Sequence, residues 1–414
     1  MRFYSKKYNE VSFNLVENLP TLLLLLIGIV YCFFIVPDLK YADEKEYYSL
    51  ATNIAKKGIF SLDGTTLTAS RPPSYPFFMA IFMKIGIYNI AFFKFINFIF
   101  LIGIYFLMGC LYKKYYSKFS KFLFGIFLFC YPVIIYTAGT LYPQIFSTFL
   151  MILFFYLISD FNKKISLSNA ILLGSIMGIL ILAVPTLSAI FVVMLLFIMF
   201  NNYKNKFTTI YLIIFFFLIT ISPWMYRNYT VFNTFIPIST NFGINLLLGN
   251  SENTTPNSGI NINMDKYTMY TKDLNEVEKD QYFRKQAIQN VKNNLPRYLK
   301  LYFQKCLNYF HFRNELATQS ENSFTKDLVM FFTYYPFLIL SIIRLVLYKK
   351  YPLDKLEIFL YSLYFIAPVY QAIFFTRIRF RVPFDVLLLL IDTIFLSRIL
   401  SLKYKSRVFN QIKS

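Results

Sequence analysis

The chain has 414 residues, of which 57% are hydrophobic and 21% aromatic, while only 15% are charged. This composition, with 50 phenylalanines and 34 tyrosines, is more apolar than a soluble domain of this size requires. The net charge of +21 would suit nucleic-acid binding, but the lysines cluster in short connections between apolar runs. Membrane proteins place basic residues in this way on the cytoplasmic side, so we expect no nucleic-acid partner.

Cysteine and histidine usage excludes further classes of site. Cys32, Cys110, Cys130 and Cys306 lack metal-ligand spacing, and three of them fall in apolar runs. A disulfide framework is therefore not expected. His311 is the single histidine, which argues against histidine-based metal or triad chemistry.

Apolar runs recur along nearly the whole chain. A bilayer core of ~30 Å needs about 20 apolar residues in a helix, and helices satisfy every backbone polar group internally. The sequence therefore predicts an all-α polytopic membrane protein with about ten transmembrane helices. The predicted spans are 19–37, 91–112, 121–137, 144–159, 168–184, 186–200, 207–225, 326–348, 356–375 and 383–402.

The lysine clusters predict the orientation of these spans. Lys6, Lys7 and the basic tail place both termini in the cytoplasm, so two polar segments face outward. Three regions follow. Residues 1–225 form an N-terminal transmembrane module with a first outer loop at 38–90, residues 226–325 form an extracytoplasmic segment, and residues 326–414 form the C-terminal helices and basic tail.

The outer segments carry local signals of their own. The apolar stretch 75–88 is predicted to be a helix at the outer surface, since counting it as a span would reverse the charge pattern. The Asn- and Gly-rich stretch 241–259 is predicted to be a loop. Residues 276–293 and 297–311 are predicted to be helices, the second lying on the membrane surface.

An acidic pair, Asp43 and Glu44, follows the first span. An apolar stripe behind it has helical spacing and predicts a surface helix, formed by Tyr47, Leu50, Ala51 and Ile54. Asp43 with Glu46 matches a capping box, so the carboxylate of Asp43 is interpreted either as a cap alone or as a cap that also acts as a base.

Arg71 stands in the sequence Arg71-Pro72-Pro73-Ser74-Tyr75-Pro76. Prolines fix the backbone on its C-terminal side and open the surface helix, which holds Arg71 in a defined place. A snorkelling arginine is the simpler interpretation, whereas a rigid frame favours a fixed anionic partner.

Arg377, Arg379 and Arg381 precede Pro383 at the outer end of the last span, against the usual positive-inside preference. In an extended stretch they would share one face and suit a lipid-borne phosphate, and ordinary headgroup contact is the alternative. Asp392 lies mid-span, seven residues after Asp385, where a structural pair with a basic residue or a functional role are both open.

These motifs, in this order, resemble the GT-C membrane glycosyltransferases, the superfamily of protein O-mannosyltransferases and lipid A-modifying transferases, and above all their bacterial branch. The likeness spans about residues 19–395. The motifs that carry it are the acidic pair with Tyr47-Tyr48-Ser49-Leu50-Ala51, Arg71 to Pro76, Gly178-Ile179-Leu180 with Pro185-Thr186, Pro223 to Asn228, Asn241 to Asn245 with Gly249-Asn250, the helix pair 287–299, and Arg379 to Pro383.

The resemblance implies a GT-C-type fold and a set of site residues. Asp43, with Glu44, is implied as the catalytic carboxylate pair, and Arg71, Arg377, Arg379 and Arg381 as ligands of the donor phosphate. Weaker substrate-binding candidates are Tyr75, Arg227, Asn228 and Gln144. Many relatives carry an acidic residue where this chain has Gln144, so no metal ligand is assigned and dependence on Mg or Mn stays open. Trp224 with Arg227 and Asn228 fits an interfacial anchor equally well.

The implied function is transfer of a sugar from a polyprenyl-phosphate-linked donor to a hydroxyl of an envelope glycan, lipid or protein. The reaction is expected at the outer face of the cell membrane, with inversion and Asp43 as base. One alternative is a transporter or flippase of lipid-linked sugars, which predicts a binding site near mid-membrane. Another is an O-antigen-type polymerase or ligase, which predicts a large outer loop with arginine or histidine chemistry.

Overall fold

We describe a computed structural model that covers residues 15–115, 118–159, 165–201, 204–314 and 323–413. Within these ranges 76% of the chain is helical and there is no strand. The structure therefore bears out an all-helical fold. Lys6 and Lys7, on which the predicted orientation depends, lie outside the described residues.

The helices of the first half are α1 (Leu15–Val30, continued by a π-helical turn Tyr31–Ile35), α2 (Ala42–Lys57), α3 (Ser74–Lys84), α4 (Ile90–Tyr115), α5 (Lys118–Cys130), α6 (Pro132–Ala138), α7 (Gln144–Ile158), α8 (Leu167–Ala183), α9 (Ser188–Phe200) and α10 (Lys206–Phe232). Those of the second half are α11 (Phe242–Gly249), α12 (Asp265–Thr268), α13 (Glu276–Asn293), α14 (Leu295–Asn308), α15 (Phe324–Val346), α16 (Lys355–Gln371) and α17 (Ile378–Lys413).

Within the described residues, four helices are long and apolar enough to cross a membrane: Asn18–Ile35, Ile90–Tyr112, Lys206–Phe232 and Phe324–Lys349. The pair α5 and α6 makes a fifth candidate if its two parts form one span, bent by 77°. The bend falls at Tyr131, because Pro132 lacks an amide hydrogen and disfavours helical backbone in the residue before it. These helices support a multi-pass membrane protein, and the count of ten spans stays a prediction.

Helix α17 lies at the centre of the fold. It packs against α5, α7, α15 and α16, and its side chains from Val382 to Phe395 are buried throughout. Because every side chain of this stretch is buried, other parts of the protein surround it on all sides. The residues just before this buried stretch are therefore held rigidly.

A buried ion pair ties the other end of this core together. Arg344 on α15 donates to Glu357 on α16 through Nε at 2.7 Å and Nη2 at 2.9 Å, and both side chains are fully buried. Arg398 on α17 donates to the same carboxylate at 2.7 Å. Three helices thus share one carboxylate.

The predicted loop at 241–259 is wrong in its first half, where α11 forms. Leu247 of α11 packs with Phe283 and Ala287 of α13, so burial of an apolar face outweighs the low helix propensity of Asn and Gly. Gly243 permits this packing, because a Cβ atom there would collide with the backbone of Asp280 on α13, and Gly249 in the same way permits close approach of the Phe374 backbone. The predicted helices 276–293 and 297–311 are confirmed as α13 and α14, with α14 running from Leu295 to Asn308, and α3 covers 75–84 of the predicted surface helix 75–88.

Replacing Glu357 by Gln leaves the guanidinium of Arg344 buried without its charge partner. We expect this to reduce the free energy of unfolding by about 3–5 kcal/mol, because breaking one half of a buried ion pair is costly. The matched control is Asp327→Asn, which removes the carboxylate of the exposed Arg313–Asp327 pair and is expected to cost less than ~1 kcal/mol. Thermal unfolding in detergent measures both, and equal shifts would contradict the buried-pair account.

Candidate active site

Asp43 lies between two arginines from distant parts of the chain. Its Oδ1 accepts a hydrogen bond from Nη2 of Arg71 at 2.6 Å, and its Oδ2 accepts one from Nη1 of Arg379 at 2.6 Å. The three side chains remain 21% to 29% exposed. The structure therefore brings together a carboxylate and two cations that sequence analysis singled out separately, at a place open to solvent.

The first turn of α2 presents Asp43, and its neighbour Glu44 fixes that turn. The predicted capping box of Asp43 and Glu46 is wrong, because α2 begins at Ala42, two residues earlier than that box requires, and has Tyr41 as its N-cap. Glu44 occupies the third helical position and accepts from the backbone amides of Lys40 and Tyr41 at 2.8 and 2.9 Å. Because Glu44 accepts these amides, the carboxylate of Asp43 has no capping role.

Glu44 is fully buried and braces α2 against its surroundings. Its second oxygen accepts from the amide of Leu141 at 2.7 Å and lies 3.8 Å from Nζ of the buried Lys94 on α4. Glu44 was expected beside Asp43 as part of a catalytic pair. With both oxygens engaged inside the protein, it is placed to hold the site rather than to meet a substrate.

Arg71 is held by a second carboxylate as well as by Asp43. Its Nε donates to Glu46 at 2.5 Å, and its guanidinium carbon lies 5.8 Å from the ring centre of Tyr47, one turn along α2 from Asp43. Pro72 and Pro73 are buried, so the frame predicted for Arg71 is present. Sequence analysis assigned Glu46 to helix capping and missed this contact, which spacing within one helix does not reveal.

The three arginines before Pro383 do not share one face. The predicted extended stretch is helical from Ile378 onward, and residues two apart on a helix point in nearly opposite directions. Arg379 consequently points to Asp43, with its guanidinium 5.3 Å from the ring centre of Tyr142. Arg381 points into the protein.

Arg381 differs most from the prediction of a phosphate ligand. It is 1% exposed and pairs with Asp385 on the next turn at 3.0 Å. Its Nη1 donates to the carbonyls of Tyr309 and His311, both at 2.8 Å. A guanidinium with these internal partners serves the fold, and it does not reach a substrate without being pulled out of the core.

Contacts from the outer segment fix the connection that leads into Arg379. Nζ of the buried Lys305 donates to the carbonyls of Gly249 at 2.9 Å and Phe374 at 2.7 Å. Asn250 donates to the carbonyl of Ile373 at 2.8 Å. Arg377, a predicted phosphate ligand, is half-buried, with its guanidinium packed against Gly259 of the same outer segment.

Glu276 connects the outer segment to the loop that carries Arg71. Its carboxylate accepts from the hydroxyl of Thr68 at 2.6 Å, from the amide of Ala69 at 2.8 Å and from the hydroxyl of Thr240. Sequence analysis missed this residue, because a glutamate at the first position of a helix has no local feature that predicts a partner 207 residues away.

The weaker candidates lie in structural positions. Tyr75 is buried, with its hydroxyl against Asn97 at 3.3 Å. Arg227 donates to the carbonyl of Thr68 at 2.8 Å. Asn228 is buried and donates to the carbonyl of Ile236 at 3.0 Å, so these two residues clamp loops to the end of α10.

Gln144 and Asp392 are buried as well. Gln144 begins α7 and is 6% exposed, and its Oε1 has no hydrogen-bond partner among the described residues. Asp392 is fully buried, and within the same residues neither of its oxygens has a hydrogen-bond partner. The basic partner considered for Asp392 is not found in the described part of the chain.

Burial is the largest single influence on the pKa of Asp43 and raises it, but Arg379 and Arg71 together lower that pKa below its ordinary value of 3.8. The carboxylate is therefore ionised at neutral pH. The stability that its ion pairs contribute is present above the ordinary value and is lost as pH falls through the lowered one. Among the described residues, no group of three His, Cys, Asp or Glu side chains is placed to hold a metal ion.

Comparison with known proteins gives one structural neighbour. No protein-family model and no curated protein matches the sequence. The fold is similar to a crystal structure of ArnT from Cupriavidus metallidurans bound to undecaprenyl phosphate, with a TM-score of 0.45 and 12% identity over 91% of this chain and 77% of that chain. At this degree of similarity, the case for a function rests on side-chain geometry.

Removing the carboxylate of Glu276 should release the loop that carries Arg71. In Glu276→Ala we expect amide hydrogen exchange over residues 66–73 to accelerate about tenfold or more, since hydrogen bonds to charged groups contribute about 1.5–3 kcal/mol. Glu278→Ala is the matched control, because Glu278 accepts from the amide of Asn275 in the same helix turn, whereas the hydrogen bonds to Thr68 and Ala69 of the loop come to Glu276. Unchanged exchange in Glu276→Ala would contradict the role given to this residue.

Proposed function

We propose that this chain is a GT-C-type membrane glycosyltransferase that moves a sugar from a polyprenyl-phosphate-linked donor to a hydroxyl of a cell-envelope acceptor. The observation that carries the proposal is the carboxylate of Asp43 between Arg71 and Arg379 at a solvent-accessible position. A base beside two cations suits a reaction in which a hydroxyl is deprotonated while a phosphate departs.

In the proposed mechanism the acceptor hydroxyl attacks the anomeric carbon of the donor and passes its proton to Asp43. The bond between that carbon and the phosphate oxygen breaks, and the electron pair leaves with the phosphate. Arg71 and Arg379 stabilise the charge that this phosphate gains as it departs. One displacement from the opposite side inverts the anomeric configuration.

The ion pairs lower the pKa of Asp43 and so make it a weak base, but the proposed reaction does not need a strong one. A sugar phosphate already has a good leaving group, so the reaction depends less on proton transfer than glycoside hydrolysis does. Donor phosphate at Arg71 and Arg379 would compete with Asp43 for the same N–H groups. The pKa of Asp43 would then rise, which makes it a better proton acceptor once the donor is bound.

The roles of the other candidates follow from their burial. We assign donor phosphate to Arg71 and Arg379, with Arg377 as a third cation. Glu44 and Arg381 are assigned to support, because neither has a free face towards the site. We place the reaction at the outer face of the cell membrane, with a glycan, lipid or protein as acceptor, and leave Mg or Mn dependence to experiment.

A transporter of lipid-linked sugars would use a group near mid-membrane, and Asp392 is the residue on which that alternative depends. Asp392 is fully enclosed in this conformation, whereas Asp43 is accessible. An O-antigen-type polymerase or ligase would act through the outer segment, where Lys305 and Glu276 instead brace the site. Both features favour the transferase.

Replacing Asp43 by Asn removes the proposed base at nearly constant shape. We expect transfer from a polyprenyl-phosphate sugar to fall by about 10²–10⁴-fold. Asp38→Asn is the matched control, because Asp38 is an exposed carboxylate in the same outer loop. Transfer is measured with purified protein in nanodiscs, and normal transfer by Asp43→Asn would overturn the assignment. Vectorial movement of donor without chemistry would favour the transporter.

The pH profile tests the two cations separately from the rate. The acidic limb of kcat/KM reports the free enzyme, so in the wild type we expect it below the ordinary carboxyl pKa of 3.8. Arg379→Gln removes one positive charge from Asp43, and the limb should move to higher pH whatever the loss of rate. A limb at the same pH in this variant would show that a different group titrates.

A further inference from the structure

A groove of about 400 Å³ lies in the outer segment, away from the first turn of α2. Its walls come from Leu246 and Asn250 at α11, Ile288 and Val291 on α13, Leu299 on α14, and Ile373. The volume falls within the ~300–1,000 Å³ of small-molecule sites. The lining is almost wholly apolar, so the groove suits a hydrocarbon guest.

The groove lies beside an exposed apolar face of α14. Leu295, Leu299, Phe303 and Leu307 recur every four residues on this helix, and each is at least half exposed. Tyr302, which also lines the groove, joins α14 to the last turn of α16, where its hydroxyl donates to the carbonyl of Val369 at 2.8 Å. The sequence predicts 356–375 as a membrane span, so an apolar stripe at the end of α16 is expected at the level of the lipid interface.

The groove and the stripe are continuous. Leu295 and Leu299 belong to both, so a hydrocarbon chain lying along α14 reaches the groove without crossing a polar surface. Each CH₂ group that is taken out of water on binding adds to the affinity. This continuity points to a guest that comes from the bilayer.

The positive charge around the groove favours guests with an anionic headgroup. The stretch 281–314 holds seven lysines and arginines and no acidic residue. Lys292 lines the groove, and Arg297 and Lys300 are exposed on the following helix. Basic residues at this level attract anionic headgroups with about 1 kcal/mol each.

We propose that this groove binds one acyl chain of an anionic phospholipid of the surrounding bilayer, with the headgroup at Lys292, Arg297 and Lys300. The bound lipid contacts α11, α13, α14 and Ile373. Among the residues that line the groove, Ile373 is the nearest in sequence to Arg379. Occupancy therefore stabilises the outer segment on the connection that carries the cation of the site. The proposal does not depend on the chemistry assigned to Asp43.

The test uses purified full-length protein in nanodiscs that contain phosphatidylglycerol with a photoactivatable group in one acyl chain. Cross-links should map to residues 287–302, and Val291→Trp, which fills the groove, should remove them. Leu307→Trp is the matched control, because it lies on the stripe beyond the groove and should leave the labelling unchanged. Melting curves of the variants verify that each is folded.

Headgroup selectivity is measured by competition with unlabelled phosphatidylglycerol or phosphatidylcholine. Phosphatidylglycerol should compete better, and Lys292→Gln and Lys300→Gln should each reduce its advantage about fivefold. Equal competition by phosphatidylcholine would overturn the headgroup assignment, and labelling that Val291→Trp leaves intact would overturn the groove. Selective displacement by polyprenyl phosphate would assign the groove to the donor and overturn the proposal.

Discussion

The site depends on the balance of charge around Asp43. Two carboxylates, Asp43 and Glu46, face two guanidinium groups, Arg71 and Arg379, so the cluster is neutral without a guest. In the proposed mechanism, a donor phosphate takes N–H groups from these carboxylates, and its affinity is the difference between two charge-assisted interactions. In that proposal, the same exchange weakens the contacts of the arginines with Asp43 when an acceptor hydroxyl needs a base.

Three side chains outside this cluster hold its segments in place. Glu44, Glu276 and Lys305 each place a charged group against backbone atoms and thereby fix one of the three segments that meet at the site. Burial lowers the pKa of Lys305 to about 7, which reflects the cost of enclosing its charge. Bonds from charged groups to backbone hold loops that short helices and prolines alone would leave mobile.

The long buried helix α17 connects the site with the rest of the fold. At its first turn Arg379 points to Asp43 and Arg381 to Asp385, and further along Arg398 reaches the Arg344–Glu357 pair. One rigid element therefore contacts both the accessible cluster and a buried one. A shift of this helix would move a cation of the site, and the apolar packing around Val382 to Phe395 opposes such a shift.

Local sequence was enough to predict the helical membrane character, the stripe of α2, the helices α13 and α14, and Asp43, Arg71 and Arg379 as candidates, because hydropathy, periodicity and unusual charge placement are local properties. The three-dimensional packing was needed to see that Asp43, Arg71 and Arg379 meet, that Glu44 and Arg381 are buried, that Glu46 and Glu276 hold Arg71 and its loop, and that 242–249 is helical. The direction of each arginine depended on whether the backbone before Pro383 is extended or helical. Packing between residues far apart in the chain favours the helical backbone, and such packing cannot be read from the local sequence.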